Sequence, residues 1–330
     1  MPVATLGLHH VTGIATRPQA NIEFWVRLLG QRLVKRTVNY DDPQTYHFYF
    51  GGPLGQPGTI ASFFPWQGAG PAVRGAGESV AVAYRVPPGS LAAWRERLDD
   101  HGLAHTVRER LGEEVISFED PDGIPLELVE AEPVGPRLNW PGAPLQDAIA
   151  PQGLHAVTVT APRLDATVGV LLRALGMEVV AEDDGASGRR VRLAPGSPEA
   201  GDIPYPTGGY IDLVEARHES PGRLGAGGLH HVALRVADAD IGEARETLIS
   251  EGLKPTVVKD RTYFRSVYFK EPGGAIFEVA TDGPGFLVDE PPDELGLAFK
   301  LPPWLESERD FLRGRLPVTA SPEYADRWRH

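Results

Sequence analysis

Hydrophobic and polar positions follow a similar order in four stretches of this chain. Each stretch opens with a short apolar run, and the openings that contain His10, Ala81, Ala156 and His231 recur at intervals of roughly 70 to 75 residues. Apolar residues at every second position predict a strand, whereas apolar residues three and four positions apart predict an amphipathic helix. The pattern therefore predicts a repeated unit that contains several strands and a helix.

One amphipathic helix is predicted after each opening strand, and a glycine follows each helix. The predicted helices span residues 19–29, 90–101, 164–175 and 241–251, and the glycines are Gly30, Gly102, Gly176 and Gly252. Glycine adopts the left-handed conformation of a helix C-cap without steric cost. The four helices are therefore expected to end at equivalent positions of the repeat.

Runs rich in β-branched and aromatic residues predict three more strands in each unit. They cover residues 33–38, 46–50 and 59–64 in the first unit and 256–258, 264–269 and 275–280 in the last. Pro and Gly form a predicted turn before the last strand, within residues 118–127 and 269–278. The expected fold class is α+β, with four β-α-β-β-β modules that form two curved mixed sheets.

The modules divide the chain into two predicted pairs. The first pair lies within residues 1–132, as modules of about 6–66 and 78–130, and the second within 153–282, as modules of about 153–215 and 228–282. A proline-rich linker, 133–152, separates the pairs, and a glycine-rich connection, 218–228, leads into the last module. A tail of residues 283–330 follows, with a predicted helix at 306–315.

Alignment of the modules identifies two equivalent positions at which a metal ligand is expected. The position on the first strand holds His10, Ala81, Ala156 and His231, and that on the last strand holds Ser62, Glu127, Asp212 and Glu278, with Asp212 the least certain. If the first and fourth modules share a site, His10, His231 and Glu278 meet there. Two histidines and one carboxylate are typical of non-haem Fe(II) sites that leave positions open for substrate and O2.

Composition narrows the classes of partner and site. The net charge of -13, without a cluster of Lys and Arg, argues against nucleic acid and membrane surfaces as partners. The chain has no cysteine, which excludes thiolate ligands and nucleophiles and leaves His, Asp and Glu to hold a metal. A signal peptide and an apolar run of about 18 residues are both lacking, so a cytoplasmic protein is expected. A homo-oligomer is left open.

The repeat, its His-Val openings and the Pro-Gly turn before a terminal Glu resemble the vicinal oxygen chelate superfamily, which includes glyoxalases, fosfomycin-resistance transferases and extradiol dioxygenases. The doubled histidines at both ends are similar to those of its hydroquinone ring-cleaving dioxygenase branch. The resemblance covers residues 8 to about 282. It implies that Fe(II), or alternatively Mn(II), is bound by His10, His231 and Glu278, and that the active site also includes His9, Thr12, His230, Arg261 and Tyr268.

The resemblance implies an Fe(II)-dependent dioxygenase that inserts O2 into a hydroquinone or a related dihydroxylated aromatic. The alternatives are a glyoxalase-type metal-dependent isomerase or transferase, and a small-molecule binding protein without catalysis. Glyoxalase-like sites generally place a fourth ligand, a carboxylate, where this chain has Ser62. That difference favours the dioxygenase.

The other candidate residues have structural alternatives. Neighbouring strand residues point to opposite faces, so His9 and His230 reach the site only if a bulge or an adjacent strand brings them near. Tyr268 fits core packing nearly as well as substrate contact. Arg261 could instead pair with a nearby carboxylate, Asp260 or Glu271.

Overall fold

The computed structural model describes residues 2–133, 140, 142–185, 188–196, 208–216 and 220–320. Parts of the predicted linker (133–152), of the glycine-rich connection (218–228) and of the tail (283–330) lie outside these described residues. Within the described ranges, no helix is both long enough and apolar enough to cross a membrane.

The first half of the chain contains two segments with the same order of elements. The first segment consists of β1 (Leu8–Ala15), α1 (Pro18–Glu23), β2 (Arg32–Asn39), β3 (Asp42–Gly51) and β4 (Ile60–Pro65). The second consists of β5 (Glu78–Val86), α2 (Leu91–Asp100), β6 (Thr106–Arg110), β7 (Glu113–Glu119) and β8 (Pro125–Glu130).

The second half repeats this order and adds a tail. The third segment consists of β9 (Leu154–Ala161), α3 (Leu164–Leu175), β10 (Met177–Gly185), β11 (Gly188–Pro195) and β12 (Tyr210–Glu215). The fourth consists of β13 (Leu229–Val236), α4 (Ile241–Ser250), β14 (Lys259–Asp260), β15 (Arg265–Lys270) and β16 (Ile276–Thr281). In the tail, two 3-10 turns (Phe286–Val288 and Pro303–Glu308) precede α5 (Arg309–Arg315).

The predicted helices are confirmed, with two differences at their ends. The first is shorter as an α-helix, because residues Phe24–Leu28 continue it as a π-helical turn. The tail helix begins later than predicted, because residues Pro303–Glu308 form a 3-10 turn. The four glycines after the repeat helices have φ values of 68°, 66°, 60° and 82°, as left-handed caps require.

One strand prediction is wrong. Residues 256–258 do not form a strand, and the two-residue strand β14 follows them instead. Thr256 donates a backbone hydrogen bond to Tyr268, but Val257 and Val258 are 68% and 38% exposed. The β-branched composition of this run predicted a strand, whereas these two valines are not covered by a neighbouring element.

Strand pairing brings the ends of the chain together. In each segment the first strand lies parallel to the last, in the pairs β1–β4, β5–β8, β9–β12 and β13–β16. Between segments, β1 pairs antiparallel with β13, and β5 with β9. The first segment is therefore joined to the fourth, and the second to the third.

The sheet class is as predicted, but the number of sheets differs. The fold is α+β with mixed strand directions, and a single residue pair, Leu229 with Ser79, joins β13 to β5. The described strands therefore form one continuous 16-stranded sheet rather than two. This pair is where the part of the sheet built on β1 and β13 joins the part built on β5 and β9.

The helices cover one face of the sheet and bury the main core there. Trp25, Trp94, Leu171 and Leu248 are at most 1% exposed within this core. Alternation along the strands turns every second side chain to the other face. The predicted ligand positions lie in register in all four segments. In each segment, the last-strand residue is paired with the residue two positions after the first-strand position. The pairs are Ser62 with Thr12, Glu127 with Ala83, Asp212 with Thr158, and Glu278 with Ala233. This pairing confirms the alignment of Asp212.

Candidate metal centre

Three buried side chains from adjacent strands converge where the first and fourth segments meet. His10 on β1 lies opposite Ala233 on β13, which lies opposite Glu278 on β16. The third side chain is His231, two positions before Ala233 on the same face of β13. The Nε2 atoms of His10 and His231 are 3.2 Å apart, and they lie 3.2 and 2.9 Å from Oε2 of Glu278.

The donor atoms of this cluster fit a divalent metal ion. Glu278 is fully buried, and its Oε2 atom has no hydrogen-bond partner although both imidazoles face it. Burial by itself raises the pKa of Glu278, but the electrostatic interaction with the imidazoles of His10 and His231 opposes it and holds the pKa well below its usual range. A cation among the three donor atoms would satisfy the carboxylate. In the described part of the chain, this is the one group of His, Asp and Glu side chains close enough to hold a metal.

A β-bulge turns His9 towards its neighbour. Leu8 lies opposite Leu234 and His10 opposite Ala233, so β1 contains one residue more than β13 at His9. The Nδ1 atom of His9 lies 2.8 Å from Nδ1 of His10, and its Nε2 atom lies 3.1 Å from the carbonyl oxygen of Thr281. His9 was expected to reach the site only if a bulge or an adjacent strand brought it near, and this bulge does so.

The hydrogen bonds of His9 determine which nitrogen of His10 is free. A carbonyl oxygen only accepts, so Nε2 of His9 donates to Thr281. Burial lowers the pKa of His9 well below its usual value, so the ring is neutral and its Nδ1 accepts from Nδ1 of His10. The remaining nitrogen of a neutral His10, Nε2, is then unprotonated and faces Glu278.

A second bulge places His230 beside His231. Thr12 lies opposite His231 and Gly13 opposite Leu229, so the extra residue is on β13. The Nδ1 atoms of His230 and His231 are 2.8 Å apart. Burial lowers the pKa of His230 to about 3, so its imidazole is uncharged near neutral pH. A cavity of about 530 Å³ reaches His230 and is also lined by Ile14, Trp66, Pro71 and Leu224.

A chain of hydrogen bonds on β1, β3 and β4 ends at His231. Tyr49 contacts Nδ1 of His47 at 2.9 Å, and Nε2 of His47 lies 3.0 Å from the hydroxyl of Ser62. Ser62 contacts Thr12 at 2.8 Å, and Thr12 lies 2.9 Å from Nε2 of His231. The sequence identified Thr12 but not His47, whose only signal is that it shares a strand face with Tyr49.

Tyr268 and Arg261 lie together at the edge of the cluster. The ring of Tyr268 is 5.5 Å from that of His231, and Nε of Arg261 donates to the Tyr268 hydroxyl at 3.2 Å. Burial raises the pKa of Tyr268, which keeps the phenol protonated. Arg261 pairs with Asp41 at 2.8 Å, a residue of the first segment, and not with the carboxylates near it in sequence.

Two residues that the sequence did not identify complete the surroundings. Ser266 donates a hydrogen bond to Oε1 of Glu278. The ring of Phe264 packs against those of His9 and His10, with centroids 5.0 and 5.3 Å apart. Ser266 lies two positions before Tyr268, so the alternation of β15 was the available signal.

Comparison with known proteins fits this geometry. The family model of the glyoxalase/bleomycin resistance protein/dioxygenase superfamily matches residues 7–128 and 153–279. The chain belongs to this superfamily. This superfamily member is 36% identical over 321 residues to the chlorohydroquinone/hydroquinone 1,2-dioxygenase of Sphingobium indicum, covering 94% of this chain and 96% of that protein. It is 40% identical over 316 residues to MhqE of Bacillus subtilis, provisionally named a ring-cleaving dioxygenase, covering 95% and 99% of the two chains.

Solved structures agree with the fold of this superfamily member. A Bacillus subtilis protein described provisionally as a dioxygenase matches it with a TM-score of 0.87 and 38% identity, over 97% of this chain and 99% of the other. Glyoxalase I of Zea mays matches with a TM-score of 0.61 and 15% identity, over 84% and 92% of the two chains. The second similarity shows a shared fold only.

Proposed function

We propose that this superfamily member is an Fe(II)-dependent dioxygenase that cleaves the ring of a hydroquinone or a related dihydroxylated aromatic. The observation that carries the proposal is the three-residue donor set of His10, His231 and Glu278, with the hydroxyl of Ser62 where a fourth ligand would lie. Three ligands leave positions for substrate and O2. Mn(II) accepts the same donor atoms. The relatives named as ring-cleaving and hydroquinone dioxygenases support the reaction class.

Bound Fe(II) would supply the electron transfer that triplet O2 needs to react with a closed-shell aromatic ring. A phenol with a pKa of about 10 must lose a proton to bind as an anion near neutral pH, and coordination to the metal would lower that pKa. His230 is uncharged and borders the cavity of about 530 Å³. Its Nδ1 atom faces Nδ1 of His231, so its ring proton is on Nε2, from which it can donate a hydrogen bond to the substrate anion. Tyr268, still protonated, donates to a substrate oxygen, and Arg261 stabilises negative charge on it.

His9 has a different role in this proposal. Both of its ring nitrogens are engaged, one with His10 and one with Thr281. It therefore holds the tautomer of His10 and does not transfer a substrate proton. Thr12 connects Ser62 and His47 to Nε2 of His231, so this contact lies at the proposed metal-binding nitrogen, whereas Nδ1 of His231 faces His230.

The proposal also includes the relation between the four segments and the location of the metal site. We infer that the four segments are copies of one β-α-β-β-β module, and that the metal site lies between the first and fourth copies. The parallel pairing of first and last strands in each segment supports this. A glyoxalase-type reaction is less well supported, because Ser62 provides no carboxylate.

The test is anaerobic reconstitution with Fe(II), followed by measurement of O2 uptake with a panel of hydroquinones and catechols. We expect bound iron and uptake with at least one hydroquinone. Glu278→Gln should retain no iron, because it removes the charged ligand, whereas Glu114→Gln, at an exposed site, should behave as the unmodified protein. Bound iron without uptake for any compound would contradict the proposal.

A further inference from the structure

Residues of the second and third segments line an open cavity of about 780 Å³ on the part of the sheet that lacks the metal cluster. Ala81 occupies the first-strand position there and lines the cavity, and Glu127 lines it from the last-strand position. The volume lies within the range of about 300 to 1,000 Å³ that is usual for ligand pockets. This cavity plays no part in the proposed dioxygenase site.

Arginines surround the two carboxylates that occupy the last-strand positions. Glu127 is 1% exposed and accepts hydrogen bonds from Arg108 and Arg110. Asp212 is fully buried and accepts two hydrogen bonds from Arg192, at 2.7 and 2.9 Å. Guanidinium groups thus provide the positive charge that a metal would provide in the other half.

The arginines have more hydrogen-bonding capacity than these carboxylates use. Arg190, which lines the cavity and is 15% exposed, makes one long bond of 3.4 Å to Asp212. Arg110 is 5% exposed, and its Nε and Nη2 atoms have no hydrogen-bond partner. A buried donor without an acceptor is costly, so an acceptor in this cavity would stabilise the cluster.

The remaining lining limits the kind of anion. Leu103, Phe118 and Val214 give the cavity apolar walls. Besides Glu127, three carboxylates line it, Glu119, Asp120 and Glu215, so a ligand with several negative charges would be repelled. The lining suits one acid group attached to an uncharged, apolar body.

We propose that this cavity binds a small organic monocarboxylate, whose acid group pairs with Arg190 and whose apolar part lies against Phe118. Arginine suits this role because its planar fork of donors matches the geometry of a carboxylate. The site would be separate from the metal centre, and it does not depend on the reaction that the metal centre performs.

Isothermal titration calorimetry of the full chain tests this site, with benzoate as the probe. Benzamide has the same shape without the charge, and inorganic phosphate is a compact anion without an apolar body. We expect benzoate to bind at least tenfold more tightly than either. Arg190→Gln should weaken benzoate binding roughly 10- to 100-fold, as expected for loss of a charged hydrogen bond. Asp212 keeps both bonds from Arg192 in this variant, so the fold should persist.

Two further variants locate the binding. Arg189→Gln is the matched control, because Arg189 is the preceding residue of β11 and pairs with Asp165 and Glu182 outside the cavity. It should leave the affinity unchanged. Ala81→Phe fills the cavity without removing a charge and should abolish binding. The proposal is overturned if benzoate binds equally well to the Arg190→Gln and Ala81→Phe variants, or if benzamide or phosphate binds as tightly as benzoate. Binding that is lost in Glu278→Gln but kept in Arg190→Gln would assign benzoate to the metal centre and would also overturn it.

Discussion

At the scale of single residues, the two histidines of each doubled pair make different contacts. His10 and His231 direct Nε2 towards Glu278, while His9 and His230 contact the Nδ1 atoms of these two proposed ligands. A ligand imidazole needs a fixed tautomer, which its other nitrogen receives from a hydrogen-bond partner. The second histidine of each pair is that partner here.

Replacing His9 tests this role. His9→Leu removes the acceptor for Nδ1 of His10, and we expect metal affinity to fall by about 10- to 100-fold. His9→Gln keeps an acceptor oxygen and should restore most of the affinity. The measurement is Mn(II) or Fe(II) binding in competition with a chelator. Equal losses in the two variants would show that His9 contributes packing against Phe264 instead.

At the scale of elements, two bulges and four helix caps determine where the side chains point. Each bulge lies beside a proposed ligand on β1 or β13, and it turns one extra histidine towards that residue. The caps end each helix before the strand that returns to the sheet. Two of these caps are also crowded: a Cβ atom at Gly176 would lie 3.1 Å from the carbonyl oxygen of Val3, and one at Gly30 would lie 2.7 Å from Cδ1 of Leu145.

The caps after α2 and α3 make a matched pair for mutation. Gly102→Ala introduces only the strain of a left-handed alanine, about 1 kcal/mol, because nothing lies within 4 Å of the added Cβ. Gly176→Ala adds the close contact with Val3, so its loss of unfolding free energy should be larger, by about 1 kcal/mol. Urea unfolding of both variants measures this. Equal losses would mean that the N-terminal residues move away at no cost.

At the scale of the whole molecule, the same strand topology occurs twice, with different side chains between the paired segments. β1, β13 and β16 bring together His10, His231 and Glu278, whereas β5 and β9 border an arginine-lined cavity. Backbone pairing runs between segments on either side of the predicted linker. The predicted domain boundaries, 1–132 and 153–282, stay a prediction.

Stability of the whole fold should depend on the protonation of Asp120. Burial raises the pKa of Asp120 to about 7, above its value of about 3.9 in an unfolded chain. Between these pH values the folded state keeps a proton that the unfolded state has lost. The free energy of unfolding should therefore fall as pH rises from about 4 to about 7, by at most about 1.4 kcal/mol per pH unit from this group.

The variant Asp120→Asn should remove that part of the pH dependence. Its side-chain oxygen can still accept the backbone N–H groups of Asp122 and Ile124. Urea unfolding between pH 4 and pH 8 should show a smaller decline than in the unmodified protein. Asp100→Asn, at an exposed position, serves as the control. An unchanged decline in Asp120→Asn would contradict the assignment.

The sequence by itself determined the repeat, its helices, the register of the last strands and the superfamily. The repeat, the helices and the strand register follow from local periodicity and from glycine positions, so Gly176 and Glu278 could be placed without a structure, whereas the superfamily was expected from a resemblance. It also identified His10, His231 and Glu278 as a set, because equivalent positions in a repeat have equivalent surroundings.

Only the tertiary structure decided what lies next to each of these residues. The bulges at His9 and His230 depend on pairing between strands more than 200 residues apart, which no local pattern contains. Asp41 as the partner of Arg261, and the arginines around Glu127 and Asp212, likewise come from contacts between elements distant in sequence. Local periodicity determines which face a side chain occupies, whereas long-range packing determines its neighbours, its charge state and its chemistry.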